Sequence, residues 1–173
     1  HKDINPANIL YNRDLNSVKF IDFGISSRVT PPYTVLPNPS ILEGTLPYMS
    51  PEQTGRMNCS LDYRSDFYSL GVTFYELLLG RLPFESSDTM ELVHCHIAQN
   101  PTPPHDIDPQ IPAALSGILL KLLAKTADER YQSAWGIQAD LVLCLMQLEA
   151  TGTIEEITPG ENDVVNKFRI PQR

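Results

Sequence analysis

Cysteine is scarce: Cys59, Cys95 and Cys144 are the only three in 173 residues, far apart and without a C-x-x-C pair. That argues against a disulfide scaffold and against a zinc site, and it fits a reducing cytosol. Positive charge is scarce too, with 13 Lys and Arg against 21 Asp and Glu and a net charge of −8. A nucleic-acid module would show a basic stripe, so no nucleic-acid partner is expected. No run of about 18 apolar residues is present, so no segment is expected to insert in a membrane. The opening HKDINPANIL is charged and carries proline, unlike a secretory leader, and an initiator Met is missing. The expectation is a fragment of a longer cytoplasmic chain. What is present is 42% apolar residues, enough for a core at this length and for one domain or the larger part of one. His94-Cys95-His96 looks like a metal tract, but helix neighbours two apart do not face the same way, which favours an ordinary, partly exposed helix.

Ile9 to Tyr11 and Val18 to Ile21 read as short strands of a hairpin, separated by turn residues. From Gly24 to Pro51 no period holds, and five prolines interrupt it, so this is a long loop of the kind that is functional or disordered. Asp66 to Leu79 is a helix apolar on nearly every face, which predicts burial on all sides, with Gly80 as its C-cap. Ser87 or Asp88 caps a helix to about Gln99. Pro101 to Pro112 is a proline-rich loop, and Ala113 to Lys125 a helix with a basic end. Ser133 caps the last helix, where Ile137, Leu141, Leu145 and Leu148 form one stripe. After about Thr151 the chain turns polar and reads as a linker.

Three polar residues near the start suggest chemistry. A hairpin brings Asn8, before its first strand, beside Asp22, after its second. Such oxygen ligands suit Mg²⁺, which takes one or two carboxylates plus waters and phosphates. Asp3 lies close enough to accept a proton from an incoming hydroxyl.

These residues resemble a known family. His1-Lys2-Asp3-Ile4-Asn5-Pro6-Ala7-Asn8 resembles the protein-kinase catalytic loop H-R-D-x-x-x-x-N, and Asp22-Phe23-Gly24 resembles D-F-G. Gly44-Thr45-Leu46-Pro47-Tyr48-Met49-Ser50-Pro51-Glu52 is similar to the end of an activation segment, with Ser-Pro-Glu for Ala-Pro-Glu. Asp66 to Gly71 is similar to the start of the buried kinase helix F, and Gly80 to Phe84 to the segment after it. The resemblance implies an α+β, mainly α-helical fold: a kinase C-terminal lobe over residues 1–149, with a short hairpin, an activation segment and helices F to I. Residues 150–173 are a linker toward a further domain. It implies transfer of the ATP γ-phosphoryl group to a protein Ser or Thr hydroxyl.

Carried over by position, Asp3 acts on the hydroxyl, Asn8 and Asp22 hold Mg²⁺, and Asn8, Asp22, Phe23 and Gly24 contact ATP. Thr45 receives substrate and hydrogen-bonds toward Asp3, and it favours the serine/threonine class. His1, Glu52, Asp66 and Arg130 are supports: Glu52 and Arg130 as a partly buried ion pair, Asp66 as acceptor for the catalytic-loop backbone. Outside this pattern the favoured readings are Asp3 as a loop cap, Asn8 as a turn residue and Thr45 as a surface threonine.

The sequence also departs from the family. Lys2 stands for the Arg that grips a phosphate on the activation loop, which puts that control in doubt. Ser26, Ser27, Thr30, Thr34 and Ser40 are the hydroxyls available there. Asn5, placed in the catalytic set, stands for the Lys that neutralises γ-phosphate charge, and slower chemistry is the expectation. No Gly-rich loop and no Val-Ala-Ile-Lys motif is present, so the N-terminal lobe is expected upstream, as a partner covering apolar surface. Without it the fragment is expected to be inactive. The catalytic-loop wording and the ending from Lys167 to Arg173 resemble large bacterial multisensor serine/threonine–histidine kinases, with downstream signalling domains as further partners. Two other readings stay open: a pseudokinase or nucleotide-responsive module regulating an attached histidine kinase or ATPase, and a small-molecule kinase.

Overall fold

A computed structural model describes residues 1–27, 43–57 and 59–163. Thr30, Thr34 and Ser40, and the ending from Lys167 to Arg173, lie outside the described residues. The fold is α+β and mainly helical. One antiparallel hairpin, β1 (Ile9–Asn12) and β2 (Ser17–Phe20), precedes α1 (Arg64–Leu79), α2 (Thr89–Ala98), the single turn α3 (Pro104–Ile107), α4 (Ala113–Leu122) and α5 (Ala134–Thr151).

The hairpin pairs Ile9 with Phe20 and Asn12 with Ser17. The second strand thus runs one residue earlier than the expected Val18–Ile21. Ile21 still donates its N–H to the Asn8 carbonyl at 3.0 Å, and the left-handed Asp22 (φ 59°) then turns the chain out of extension. Inside the long loop two turns of 3₁₀ helix form, Leu46–Tyr48 and Pro51–Thr54.

Helix α1 starts two residues before the expected Asp66, because Asp62 accepts the Arg64 N–H at 2.8 Å. Tyr68, Val72 and Tyr75 on α1 are buried against Leu119 and Leu123. A methyl at Gly71 would overlap the Leu122 side chain, so α1 and α4 pack tightly there. The expected burial on every face fails at the last turn, where Leu77 and Leu78 are exposed. Asp88 caps α2, accepting from Met90 and Glu91 N–H at 2.7 and 2.9 Å. The proline-rich stretch contains α3, and α4 stops at Leu122 rather than Lys125.

On α5, Ile137 and Cys144 join the core with Ile118, Leu122 and Tyr131. The expected stripe fails at Leu145 and Leu148, both exposed. Leu145 instead lines an open apolar groove of about 560 Å³ with Ile4, Phe20, Phe67, Leu70 and Leu141. The segment expected to be a linker is packed over residues 152–163. Ile154 and Ile157 rest on the α4–α5 core, and Gly160 N–H donates to the buried Asp140 carboxylate at 2.6 Å. Among the described residues, no helix is long and apolar enough to cross a membrane.

His94 and His96 point apart: His94 is exposed and His96 fully buried. The His96 ring stands edge-on to Phe84, and its Nδ1 lies 3.0 Å from the Tyr68 hydroxyl. Burial, then the nearby Lys125 ammonium, hold its pKa down to about 4. The unfolded chain therefore binds a proton that the fold refuses between the ordinary value of 6.5 and 4. Stability should fall as pH drops through that window, by on the order of 3 kcal/mol from this group. Urea unfolding at stepped pH should show the slope, and His96→Gln should flatten it above pH 4.5.

Candidate active site

Residues 1–8 are too short and irregular to hold a shape alone, and α1 and the loop before it fix them. Asp66, in the first turn of α1, accepts the chain's N-terminal nitrogen at His1 (2.8 Å) and the Lys2 N–H (2.7 Å) on its two oxygens. Lys2 is left-handed (φ 71°), a conformation that costs a non-glycine residue about 1–2 kcal/mol. It is held there from both sides, since its carbonyl accepts from Gln53 Nε2 at 2.8 Å. The His1 ring packs at 4.7 Å from Phe23, and its Nε2 lies 3.0 Å from the Ile21 carbonyl.

Asp3 is the centre of the network. Its Oδ1 accepts from Thr45 N–H (2.8 Å) and Asn5 Nδ2 (3.1 Å), and its Oδ2 from Asn8 Nδ2 (2.9 Å). Asn5 and Asn8 also reach the Asp3 carbonyl, at 3.2 and 2.9 Å. The expected link from Thr45 to Asp3 runs through the Thr45 backbone, whereas its hydroxyl accepts from Asn5 at 3.3 Å. Asn5 is buried, and its remaining oxygen caps the Pro6–Asn8 turn by accepting Ala7 N–H at 3.0 Å. It is thus a neutral brace between Asp3 and Thr45. Gly44 (φ 110°) permits this approach: a Cβ there would come within 3.0 Å of the Lys2 carbonyl.

Asn8 and Asp22 are brought together through the Asn8–Ile21 backbone bond, but their side chains turn to different partners. The Asn8 amide nitrogen is spent on Asp3, and Asp22 Oδ1 accepts Gly24 N–H at 3.2 Å. Asn8 Oδ1 and the exposed Asp22 carboxylate are hard oxygen donors, a set that fits Mg²⁺ completed by phosphate and water. Among the described residues, no group of three or more His, Cys, Asp or Glu side chains gathers for a metal ion. Phe23 is exposed beside them.

The loop carrying Thr45 is anchored through Ser50 to Thr54. Gln53 Oε1 accepts Ser50 N–H and hydroxyl, both at 3.0 Å, while its amide holds Lys2. The capping-box spacing Ser50-x-x-Gln53 was the available signal for this residue, missing from the sequence-predicted set. Glu52 and Arg130 form a bidentate pair at 2.6 and 2.8 Å, buried completely rather than partly. Arg130 donates its other three N–H groups to the Ala124, Arg64 and Lys125 carbonyls, and its guanidinium lies 5.0 Å over the Tyr68 ring. Burial pushes the Glu52 carboxyl up. The Arg130 bonds and the Ser65 hydroxyl at 2.6 Å outweigh that and hold it below its ordinary value.

The geometry can present the Asp3 carboxylate to an incoming hydroxyl, and the oxygens of Asn8 and Asp22 to a divalent cation beside it. Comparison with known proteins gives the arrangement a family. The model of the protein kinase domain matches residues 1–141. The chain is 38% identical over 142 residues to serine/threonine-protein kinase PknB of Mycobacterium leprae, covering 82% of this chain and 22% of that protein. It is 37% identical over 145 residues to a probable serine/threonine-protein kinase of Streptomyces coelicolor, covering 84% of this chain and 21% of that protein. It is 54% identical over 101 residues to hybrid signal transduction histidine kinase G of Dictyostelium discoideum, covering 58% of this chain and 3% of that protein. The chain thus spans about a fifth of the first two and a small part of the third.

Proposed function

The chain belongs to the protein kinase family, and from that premise we propose that it is the C-terminal lobe of a serine/threonine kinase. The observation that carries this reading is the Asp3 carboxylate, fixed by three N–H donors and half-buried. Oδ1 takes two of those donors and Oδ2 one, so Oδ2 keeps the acceptor capacity for a substrate hydroxyl. Bound Mg-ATP supplies the γ-phosphoryl group. Asp3 accepts the hydroxyl proton, Asn5 and Asn8 fix the angle of its carboxylate, and Asn8 Oδ1 with Asp22 would hold the metal. Phe23 and Gly24 shape the nucleotide side, and the Thr45 loop receives the protein substrate. His1, Glu52, Asp66 and Arg130 hold these parts in place. Asn5 acts here by position, without the charge of a lysine.

The kinase lobe ends at Asp163 in this reading, and the chain continues beyond it into signalling domains of the large multisensor kind. The similarity to a hybrid histidine kinase supports that placement, and the need for ATP supports a cytoplasmic one. The upstream lobe covers the nucleotide side. The groove along Phe20 and Leu145 and the exposed Leu10, Tyr11, Val18 and Phe23 are the apolar surface that argues for such a cover.

The test is label transfer from γ-labelled ATP with Mg²⁺, using the chain extended upstream through its N-terminal lobe, beside Asp22→Asn. Label on Ser or Thr that is lost in the variant is the expected result. ATP binding with no transfer selects the regulatory module instead. Label on His or Asp that survives the substitution puts the chemistry in another domain.

A further inference from the structure

We propose that Asp163 is a positioning residue of the active site, acting from a docked strap, residues 152–163, that lies beyond the family match at 1–141. The sequence prepares a seat for this strap at two glycines. A methyl at Gly136 on α5 would overlap the Asp163 carboxylate, and one at Gly117 on α4 would press on Pro159 at 3.1 Å. Gly160 in the strap is left-handed (φ 82°) and would collide with Lys121 if it carried a Cβ. In that seat Asp163 accepts the Gln132 N–H, and the Ser133 hydroxyl at 2.7 Å. Asp140, which unlike the half-buried Asp163 is fully buried, accepts both the Tyr131 hydroxyl and Gly160 N–H.

Gln132 and Ser133 are therefore gripped from the strap, Tyr131 by Asp140 of α5, and Arg130 precedes them directly. Gln132 passes the constraint on. Its amide donates to the Arg130 carbonyl at 2.7 Å, its oxygen accepts from Arg64 at 2.6 Å, and its carbonyl accepts from the Tyr63 hydroxyl at 2.8 Å. Arg130 in turn holds Glu52, and Gln53 beside it holds Lys2. The route from Asp163 to Asp3 runs through hydrogen bonds joined by the peptide links Glu52–Gln53 and Lys2–Asp3. A docked strap keeps the Thr45 loop in register, and an undocked one loosens it. Whatever follows residue 163 can then reach the substrate loop by pulling on one carboxylate.

Hydrogen exchange on the full chain tests this, comparing wild type with Gly136→Ala and Asp163→Ala. Gly136→Ala expels Asp163 while improving helix propensity, so loss of α5 itself is not its effect. Both variants should speed exchange in 130–133 and at the Gln53 and Gly55 amides by about tenfold, as expected for loss of a charge-assisted bond. Amides of the 9–20 hairpin should not change. Faster exchange confined to 152–163 overturns the proposal, because the strap would then be passive packing. An equal rise in the hairpin in both variants also overturns it, because the strap would then be a general stabiliser. A second readout rests on the kinase reading: with the upstream lobe attached, KM for protein substrate should rise about tenfold and KM for ATP stay fixed. If exchange changes as expected and transfer is absent in wild type as well, the function reading fails and the strap coupling stands.

Discussion

Arg130→Met should destabilise the lobe by about 3–5 kcal/mol, measured by urea unfolding at neutral pH. The expectation rests on what the substitution leaves behind. Glu52 is 3% exposed, and Arg130 supplies two of its charge-assisted bonds. Without the guanidinium, the buried charge keeps only the Ser65 hydroxyl and a backbone N–H among the described residues, and three carbonyls lose the Arg130 donor. Methionine fills the space beneath Tyr68 but none of these needs. Glu52→Gln combined with Arg130→Met should recover much of the loss, because replacing both members removes the unpaired charge. Acidity separates the two cases. In the wild type the Glu52 pKa lies below the ordinary 4.5, so the pair's contribution is present above that value and lost as pH falls through the folded one. In Arg130→Met burial, the largest influence, outweighs the remaining Ser65 bond and raises the pKa, so the fold takes up the proton first and the gap to wild type narrows in acid. A gap that stays constant from pH 7 to 4 would mean that Glu52 is not the charge left stranded.

Asp3→Asn should lower kcat for phosphoryl transfer by about 10²–10⁴ in the lobe-complete kinase, with KM for ATP nearly unchanged. The side chain keeps its size but loses the acceptor that takes the hydroxyl proton. It also meets three donors, Asn5 Nδ2, Asn8 Nδ2 and Thr45 N–H, with an amide that carries donors of its own. One of those contacts becomes N–H against N–H, so the Thr45 loop should loosen as well, seen as a lower Tm. A variant with full kcat and a lowered Tm would leave Asp3 a structural residue and remove the basis of the proposed mechanism.

Most of the helical framework could be read from sequence, because it rests on local signals. Asp88 and Ser133 are caps with clear side-chain chemistry, and Gly80 ends α1 in the left-handed conformation. The errors fall where burial depends on distant chain. Leu77, Leu78, Leu145 and Leu148 are apolar in pattern, yet nothing in the described fold covers them. The strap was opaque for the same reason. Thr151 to Asp163 is polar with two glycines, the usual sign of a linker, and only the seat formed by Gly117, Gly136 and Asp140 makes it part of the lobe. In the site, the residue types of Asp3, Asn8 and Asp22 were legible from spacing. The brace at Asn5 was not, since a short amide at a position associated with a long cation gives no hint that it bridges Asp3 and Thr45.

The glycines under the strap have a comparative meaning. A chain of this family with alanine or anything larger at the position of Gly136 has no room for a carboxylate in the place of Asp163. One lacking the tail altogether is free to fill that position, where alanine is the better helix former by about 1 kcal/mol. Glycine at both 117 and 136 is therefore expected in relatives that seat a strap on α4 and α5, and larger residues in relatives that do not.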